Sequence, residues 1–181
     1  MSRIPAINPD QATGPAQELL RGVENTLGFV PNTIRTMANS PAVLEGYLEF
    51  SKSLSKGRLP SKLREQIALT VAEVNGCRYC LAAHSAIGKT IGLSEEAIED
   101  SRQSISPDSQ TAAVLQFARA LVIERGMVSN ADLAHIHGAG FSDGDIAEII
   151  ATVSLSLFTN YLNHVAQTKL DFPEVTELQA Y

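Results

Sequence analysis

The stretch 65–84, which reads EQIALTVAEVNGCRYCLAAH, decides the fold class and carries most of the chemistry in this sequence. Its apolar residues recur at the three-to-four-residue spacing of a helix, and the pattern breaks at Gly76. Directly after the break come Cys77 and Cys80, separated by two residues. We therefore predict two consecutive helices that are joined at Gly76, with the second cysteine in the first turn of the second helix.

Outward from this stretch, the same helical spacing covers most of the chain and is interrupted by short Pro, Gly and Ser segments. No segment shows the alternation that is typical of a strand, so no strand is predicted. Helices are predicted at 15–27, from 41 to the break at 57, at 60–76, from 77 to about 91, at 95–104, 106–125 and 130–137, and from 145 to about 169, followed by an extended tail at 171–181. The prediction is a single all-α domain over residues 1–181, a bundle of seven or eight helices. Its central helix pair spans about 59–93, and its C-terminal helix and tail span about 142–181.

Length and composition exclude several classes of protein. A chain of 181 residues suits one domain that buries roughly 70% of its unfolded surface. Apolar residues make up 44% and charged residues 19%, which excludes a disordered chain and suggests surface hidden between subunits. The net charge of −6 argues against nucleic acid or an anionic membrane as a partner. With no Trp, six Phe and four Tyr, a stacking platform for bases is not expected.

The sequence predicts a cytoplasmic protein with reduced thiols. Its first fifteen residues hold three prolines and lack the apolar segment of a signal peptide. No apolar run reaches the roughly 18 residues of a membrane span. Two cysteines are also too few for the disulfide framework of a small secreted domain.

The spacing of one acid, two thiols and one imidazole indicates cysteine chemistry. Unpaired N–H groups and the helix dipole favour an anion in the first turn of a helix, where Cys80 is expected to lie. His84 follows four residues later, on the same helix face, and can bond to the sulfur or relay a proton. If the two helices are antiparallel, Glu65 comes back toward His84. Together these residues would form the proton-transfer chain that activates a cysteine nucleophile.

Other interpretations of the cysteines stay open at this point. They could be inert buried residues, or they could bind a metal ion together with His84 and one of Glu65, His135 and His137. Structural zinc usually shows a second tight ligand pair, which is missing here. A c-type haem would need histidine directly after the second cysteine, and a thioredoxin-like fold would need a βαβ pattern.

Three further charged or titratable residues are candidates of second rank. Glu73 lies two turns after Glu65 and is an alternative carboxylate. Arg78 could stabilise a thiolate or could be a solvated cation. His164 is predicted to be a satisfied core or interface histidine.

A shift of 83 residues superimposes parts of the sequence on one another. Glu65 then falls on Glu148, while Cys77 and Cys80 fall on Asn160 and Asn163. The similarity indicates either a degenerate internal repeat that has lost its thiols or a chance match between two amphipathic helices.

The run 71–84, VAEVNGCRYCLAAH, resembles the core of the alkylhydroperoxidase D (AhpD)-like members of the carboxymuconolactone decarboxylase family. The resemblance is strongest over 59–93. It continues more weakly through NYLNH at 160–164 and DFP at 171–173, which resemble the end of peroxidase-related members. It implies an AhpD-like all-α bundle that assembles into a homo-oligomer, a trimer, hexamer or dimer.

The resemblance also implies an activity and roles for individual residues. Cys80 would attack a hydroperoxide, Cys77 would resolve the sulfenic acid, Glu65 would be the general base and His84 the proton relay. AhpD has a histidine directly before its second cysteine, where this chain has Tyr79, a candidate hydrogen-bond donor. The implied function is a thiol-dependent peroxidase for hydrogen peroxide or small organic hydroperoxides. It would use no cofactor and no metal, and an external dithiol or protein would be its reductant.

Two alternatives remain beside the peroxidase. Because Tyr79 replaces the histidine, the cysteine pair could instead be a disulfide reductase or redox relay for a protein or a lipoyl-type dithiol. The chain could also be a non-catalytic helical oligomer that binds a metal or an apolar ligand. The decarboxylase branch of the family lacks this cysteine pair, so lactone decarboxylation is disfavoured.

Overall fold

Nine α-helices form the described part of the protein in a computed structural model, which covers residues 2–176 and 178. No strand occurs in these residues, so the all-α prediction is confirmed. A short 3-10 helix, Pro9–Gln11, precedes the α-helices. They are α1 (Gly14–Leu27), α2 (Asn32–Met37), α3 (Pro41–Leu54), α4 (Ser61–Val74), α5 (Arg78–Thr90), α6 (Glu95–Arg102), α7 (Ser109–Ile123), α8 (Asn130–Gly138) and α9 (Asp143–Ala166).

Helix α4 is the centre of the bundle and contacts α5, α6, α7 and α9. Residues 66–72 of this helix are all buried, so other parts of the protein surround it on every side. Around α4, α7 and α9 lies the largest core cluster, which includes Ile67, Val114 and Ile149. A second cluster joins α1, α2 and α3 around Leu20 and Leu44. The α4–α5 pair is therefore held on a rigid scaffold.

Local capping signals predict most helix boundaries well. Ser142 and Asp145 form the capping box that their spacing suggests, and α9 begins at Asp143, two residues earlier than predicted. The predicted start of α7 at 106 is wrong, because the side chain of Asp108 accepts the Thr111 N–H and caps the helix there. The last helix ends at Ala166, short of the predicted 169, because Gln167 adopts the left-handed conformation.

The predicted count of seven or eight helices is too low because α2 has only six residues and shows no periodicity of its own. Its start is stabilised from the other end of the chain. The Asp171 carboxylate accepts the Asn32 N–H at 2.6 Å, and the Lys169 carbonyl accepts the Asn32 side-chain amide at 3.0 Å. Residues 171–176 form no helix or strand, as predicted, and the rest of the predicted tail, apart from residue 178, lies outside the described residues.

The 83-residue similarity does not correspond to a repeated helix pair. The first segment breaks between α4 and α5, where Gly76 has a φ of +63°. The second segment runs through α9 without interruption, so Asn160 and Asn163 lie in mid-helix. The two segments are not equivalent in the fold, and α9 instead packs against both α4 and α5.

Candidate active site

The cysteine pair lies at the N-terminus of α5, where the sequence places it. Cys77 is the N-cap, Cys80 is in the first turn, and their sulfurs form a disulfide with 5.3 Å between the Cα atoms. Both residues are almost fully buried, with 1% and 2% of their surface exposed. The Cys80 N–H donates to the Sγ of Cys77 at 3.3 Å, so the helix terminus solvates the first sulfur directly.

Glu65 and His84 meet across the α4–α5 pair. Their contact joins Nδ1 of His84 to Oε2 of Glu65 at 2.7 Å, and both side chains are about one-fifth exposed. Burial lowers the pKa of His84, but the charge and the hydrogen bond of Glu65 outweigh it, so the pKa of His84 is raised above 6.5. With Nδ1 engaged by Glu65, Nε2 is the nitrogen available for proton exchange.

The Glu65–His84 pair opens into a cavity of about 630 Å³ between α1, α3, α4, α5 and α9. Its wall is mainly apolar and includes Leu19, Leu48 and Leu155. Tyr47 also lines this cavity and was not predicted as a site residue, because it lies in the regular apolar stripe of α3. Burial, and then the charge of Glu65, raise the pKa of Tyr47 to about 12, so its hydroxyl stays protonated at neutral pH and can donate a hydrogen bond.

A second cavity, of about 460 Å³, lies beside Cys77. The end of α9 contributes His164 to its wall, and the loop before α5 contributes Gly76. His164 is exposed in the chain, so the prediction of a core histidine is wrong, while an interface position stays a prediction. Cys77 therefore lines one cavity, and the Glu65–His84 pair lines another.

Helix α9 brings a buried amide to the second cysteine. The side chain of Asn163 donates from Nδ2 to the Sγ of Cys80 at 3.4 Å. One turn earlier, Oδ1 of the fully buried Asn160 accepts the Asn75 side-chain amide at 2.9 Å. The sequence reasoning assigned these two asparagines no role at the site. Their signal in the sequence was the placement of two amides three residues apart, on one face of a helix.

Tyr79 points away from the sulfurs. Its hydroxyl accepts the Thr33 N–H at 3.2 Å and interacts with the Asp171 carboxylate, while its ring meets Phe172 edge-on at 5.9 Å. Burial raises the pKa of this phenol, the Thr33 bond lowers it and Asp171 raises it, with a net increase. Among the described hydrogen bonds, those of the Tyr79 hydroxyl therefore join α5 to α2 and the tail, not to the cysteines.

The remaining candidates lie apart from the Glu65–His84 pair. Glu73 accepts from the buried Arg102 at 2.6 Å, and Arg78 pairs with Glu174. His135 and His137 are exposed on α8. Within residues 2–176 and 178, no group of three or more His, Cys, Asp and Glu side chains could hold a metal ion. In the same residues, no helix is long and apolar enough to cross a membrane.

A protein-family profile matches the part of the chain that contains the cysteine pair. The profile of the carboxymuconolactone decarboxylase family matches residues 41–123, from α3 to α7, and this segment contains Glu65, Cys77, Cys80 and His84. This part of the chain is similar to the carboxymuconolactone decarboxylase family. The resemblance predicted from the sequence is thereby confirmed. No curated protein gives a significant sequence match.

Solved structures confirm the AhpD-like bundle. An uncharacterized peroxidase-related protein with an AhpD core from Ralstonia eutropha JMP134 is 23% identical, with a TM-score of 0.84 over 94% of this chain and 92% of that one. A peroxidase-related protein from Silicibacter sp. TM1040 is 23% identical, with a TM-score of 0.80 over 92% of each chain. The debrominase Bmp8 in complex with 2,3,4-tribromopyrrole is 20% identical, with a TM-score of 0.81 over 94% of this chain and 92% of that one. At these identities the likeness shows the fold.

Proposed function

We propose that the protein is a thiol-dependent peroxidase that reduces hydrogen peroxide or small organic hydroperoxides. One observation carries the proposal: a disulfide at the N-terminus of α5 lies one helical turn before a histidine that is paired with a carboxylate. Once reduced, the cysteine pair can donate two electrons, and the Glu65–His84 pair can relay a proton from one helical turn away. The match of residues 41–123 to the carboxymuconolactone decarboxylase family supports it.

The first step oxidises Cys80. The Cys80 thiolate attacks one oxygen of the hydroperoxide ROOH, an S–O bond forms and the O–O bond breaks. A proton from His84 goes to the departing alkoxide, which leaves as the alcohol ROH. The products are Cys80 sulfenic acid and ROH. The raised pKa of His84 suits it to hold this proton near neutral pH.

The second and third steps return the enzyme to its reduced form. Cys77 attacks the sulfenic sulfur, water leaves and the Cys77–Cys80 disulfide forms. An external dithiol then reduces this disulfide by exchange and is itself oxidised to a disulfide. The cavity beside Cys77 supports attack by the reductant on this sulfur. The complete cycle converts ROOH and one dithiol into ROH, water and one disulfide.

The larger cavity supports an organic substrate over hydrogen peroxide. Its volume of about 630 Å³ and apolar wall would bury the carbon chain or ring of a hydroperoxide. Among its polar groups, Tyr47, Glu65 and His84 interact with one another and would face the peroxide end. We expect organic hydroperoxides to be reduced with a lower KM than hydrogen peroxide.

The test is thiol counting and intact mass on the reduced protein before and after one equivalent of cumene hydroperoxide. Rapid loss of both thiols with formation of an internal disulfide is the expected result. Replacing Cys80 (Cys80→Ser) should abolish peroxide consumption, while Cys77→Ser should allow one turnover and leave a sulfenic acid that dimedone traps. Peroxide consumption by Cys80→Ser at the parent rate would overturn the mechanism.

A disulfide reductase or redox relay is the second candidate. The observation that favours it is the cavity beside Cys77, which is separate from the cavity at the Glu65–His84 pair. Steady-state kcat/KM values for cumene hydroperoxide and for oxidised lipoamide would separate the two functions. A clear excess with lipoamide would favour the relay. Because the fold is shared with a debrominase, tribromopyrrole belongs in the same comparison.

A homo-oligomer and a cytoplasmic location complete the proposal. Exposed apolar side chains on α3 and α9 support assembly, among them Phe50, Phe158, Tyr161 and Val165. A reducing compartment would keep the cysteine pair available for turnover. Light scattering after size-exclusion chromatography measures the assembly, and a monomer at micromolar concentration would contradict it.

A further inference from the structure

We propose that Asn163 is a further catalytic residue, whose side-chain amide stabilises the thiolate of Cys80. The inference rests on the proposed function for the role of Cys80 as the attacking sulfur. The hydrogen bond itself can be tested without any peroxide.

The position of Asn163 is the first argument. Its side chain reaches from α9 to α5, is 5% exposed, and donates from Nδ2 to the Sγ of Cys80 at 3.4 Å. Its Oδ1 is buried and has no hydrogen-bond partner. A buried amide with an unmatched acceptor costs stability, so packing alone does not account for asparagine at this place.

The strength of the bond in the two redox states is the second argument. A disulfide sulfur is neutral and a weak acceptor, whereas a thiolate is charged and a strong one. The Asn163 bond is therefore strongest when Cys80 is a thiolate. A donor that prefers the charged form lowers the pKa of the group that accepts its bond. Asn163 accordingly favours Cys80 both as the attacking sulfur and as the sulfur that leaves when a dithiol attacks Cys77.

The asymmetry between the two cysteines is the third argument. The N–H in the first turn of α5 that bonds to sulfur donates to Cys77, not to Cys80. Without a further donor, the helix terminus would favour Cys77 as the thiolate. Asn163 supplies a donor to Cys80 from a different helix, and so makes the second cysteine competitive for the negative charge.

Other charged or titratable groups lie on the elements around the pair. On α5, His84 lies one turn after Cys80 and is paired with Glu65 of α4. Arg78 precedes Cys80 by two residues, the tail contributes Asp171, and α9 contributes His164 beside the Cys77 cavity. None of these residues changes in the variants below, so a comparison between variants isolates the Asn163 amide.

The experiment measures the pH dependence of Cys80 alkylation by iodoacetamide in Cys77→Ser protein, where Cys80 is the single thiol. Asn163→Asp keeps the shape and removes the donor, while Asn163→Leu removes both polar atoms. Losing one hydrogen bond to a charged sulfur should raise the Cys80 pKa by about one unit. The increase should be larger in Asn163→Asp because a carboxylate repels the thiolate. The rate constant for cumene hydroperoxide at pH 7 should fall about tenfold.

Asn160→Leu is the matched control. It removes a buried amide one turn away on the same helix, and Asn75 keeps its bond to the Val71 carbonyl. We expect the Cys80 pKa to stay unchanged in this variant, although stability falls. An equal increase in the Cys80 pKa in Asn160→Leu would show that disturbed packing, and not the loss of one hydrogen bond, causes the effect. That result would overturn the proposal. Alkylation profiles of both Asn163 variants that coincide with the parent profile would overturn it as well.

The side-chain amide resonance of Asn163 gives a measurement that needs no substitution at that position. In Cys77→Ser protein we expect it to shift with the titration of Cys80, and the shift should vanish when Cys80 is also serine. An amide resonance that does not shift as Cys80 titrates would contradict the proposal. If the Asn163 variants shift the alkylation profile but the parent protein consumes no hydroperoxide, the peroxidase function is refuted and the Asn163–Cys80 bond is still supported.

Discussion

At the scale of the residue, the Glu65–His84 pair links the protonation of the site to the stability of the fold. Burial by itself would lower the pKa of His84, and Glu65 reverses that effect. Because the pKa is raised in the folded chain, the pair stabilises the fold fully below the ordinary value of 6.5. This stabilisation is lost as the pH rises through the raised pKa of His84.

We predict that Glu65→Gln lowers the pKa of His84 below its ordinary value, since burial then acts without the carboxylate. Imidazole resonances followed by NMR on the oxidised protein measure this directly. The difference in unfolding free energy between parent and variant should be largest near about pH 6 and should shrink toward about pH 9. The peroxide rate constant should fall about tenfold. An unchanged His84 pKa would show that the pair does not form.

A second prediction at this scale concerns Tyr79, whose hydroxyl bonds toward α2 and the tail. Tyr79→Phe should cost about 1–3 kcal/mol of stability, because the hydroxyl's bonds to Thr33 and Asp171 are lost. The peroxide rate constant should change less than about twofold, since no reacting group loses a partner. Urea denaturation and stopped-flow kinetics test the two parts. A large loss of rate at unchanged stability would give Tyr79 the direct role that the sequence suggested.

At the scale of the element, the start of α4 depends on a carboxylate from α9. Glu148 accepts the backbone N–H groups of Arg58 and Leu59 at 2.8 and 3.1 Å, and its carboxylate lies against Gly57. This contact links the two helices that carry Glu65 and Asn163. The packing of α4 on α9 therefore sets the geometry of the site from both sides.

We predict that Gly57→Ala destabilises the protein by about 1–3 kcal/mol. A Cβ at this position would lie 2.5 Å from Oε2 of Glu148, so the carboxylate would have to leave its backbone partners. Gly46→Ala is the matched control. It lies within α3 with nothing within 4 Å of the new Cβ, and it should stabilise the helix by about 0.5–1 kcal/mol. Equal unfolding midpoints in urea for the two variants would contradict the prediction.

At the scale of the whole molecule, the C-terminal segment closes over the cysteine pair. Leu170, Phe172 and Val175 pack against the apolar cluster that contains both cysteines. The ring of Phe172 lies between Tyr79 and Phe29, at 5.9 and 5.7 Å between centroids. One residue of the tail thus joins α5 to the loop that follows α1.

We predict that Phe172→Ala speeds the reduction of the disulfide by dithiothreitol several-fold and costs about 1–3 kcal/mol of stability. Losing the ring removes two aromatic contacts that hold the tail over the cysteines. Phe50→Ala, which truncates an exposed ring on α3, is the control and should leave the reduction rate unchanged. Equal rates of thiol release in the two variants would show that the tail does not limit access.

The sequence by itself determined the features that depend on neighbours a few residues away. Helical spacing indicated the all-α class, and Gly76 marked the break between α4 and α5. It also placed Cys80 in the first turn of a helix. Each of these follows from backbone hydrogen bonds between residues three or four apart and from the unpaired groups at helix ends.

The tertiary structure alone decided which side chains meet. Glu65 contacts His84 across 19 residues, Asn163 reaches Cys80 across 83, and the hydroxyl of Tyr79 turns to Thr33. These contacts depend on how far each helix is rotated about its axis when it packs on α4. That rotation is set by the burial of many apolar side chains at once, which no local pattern specifies.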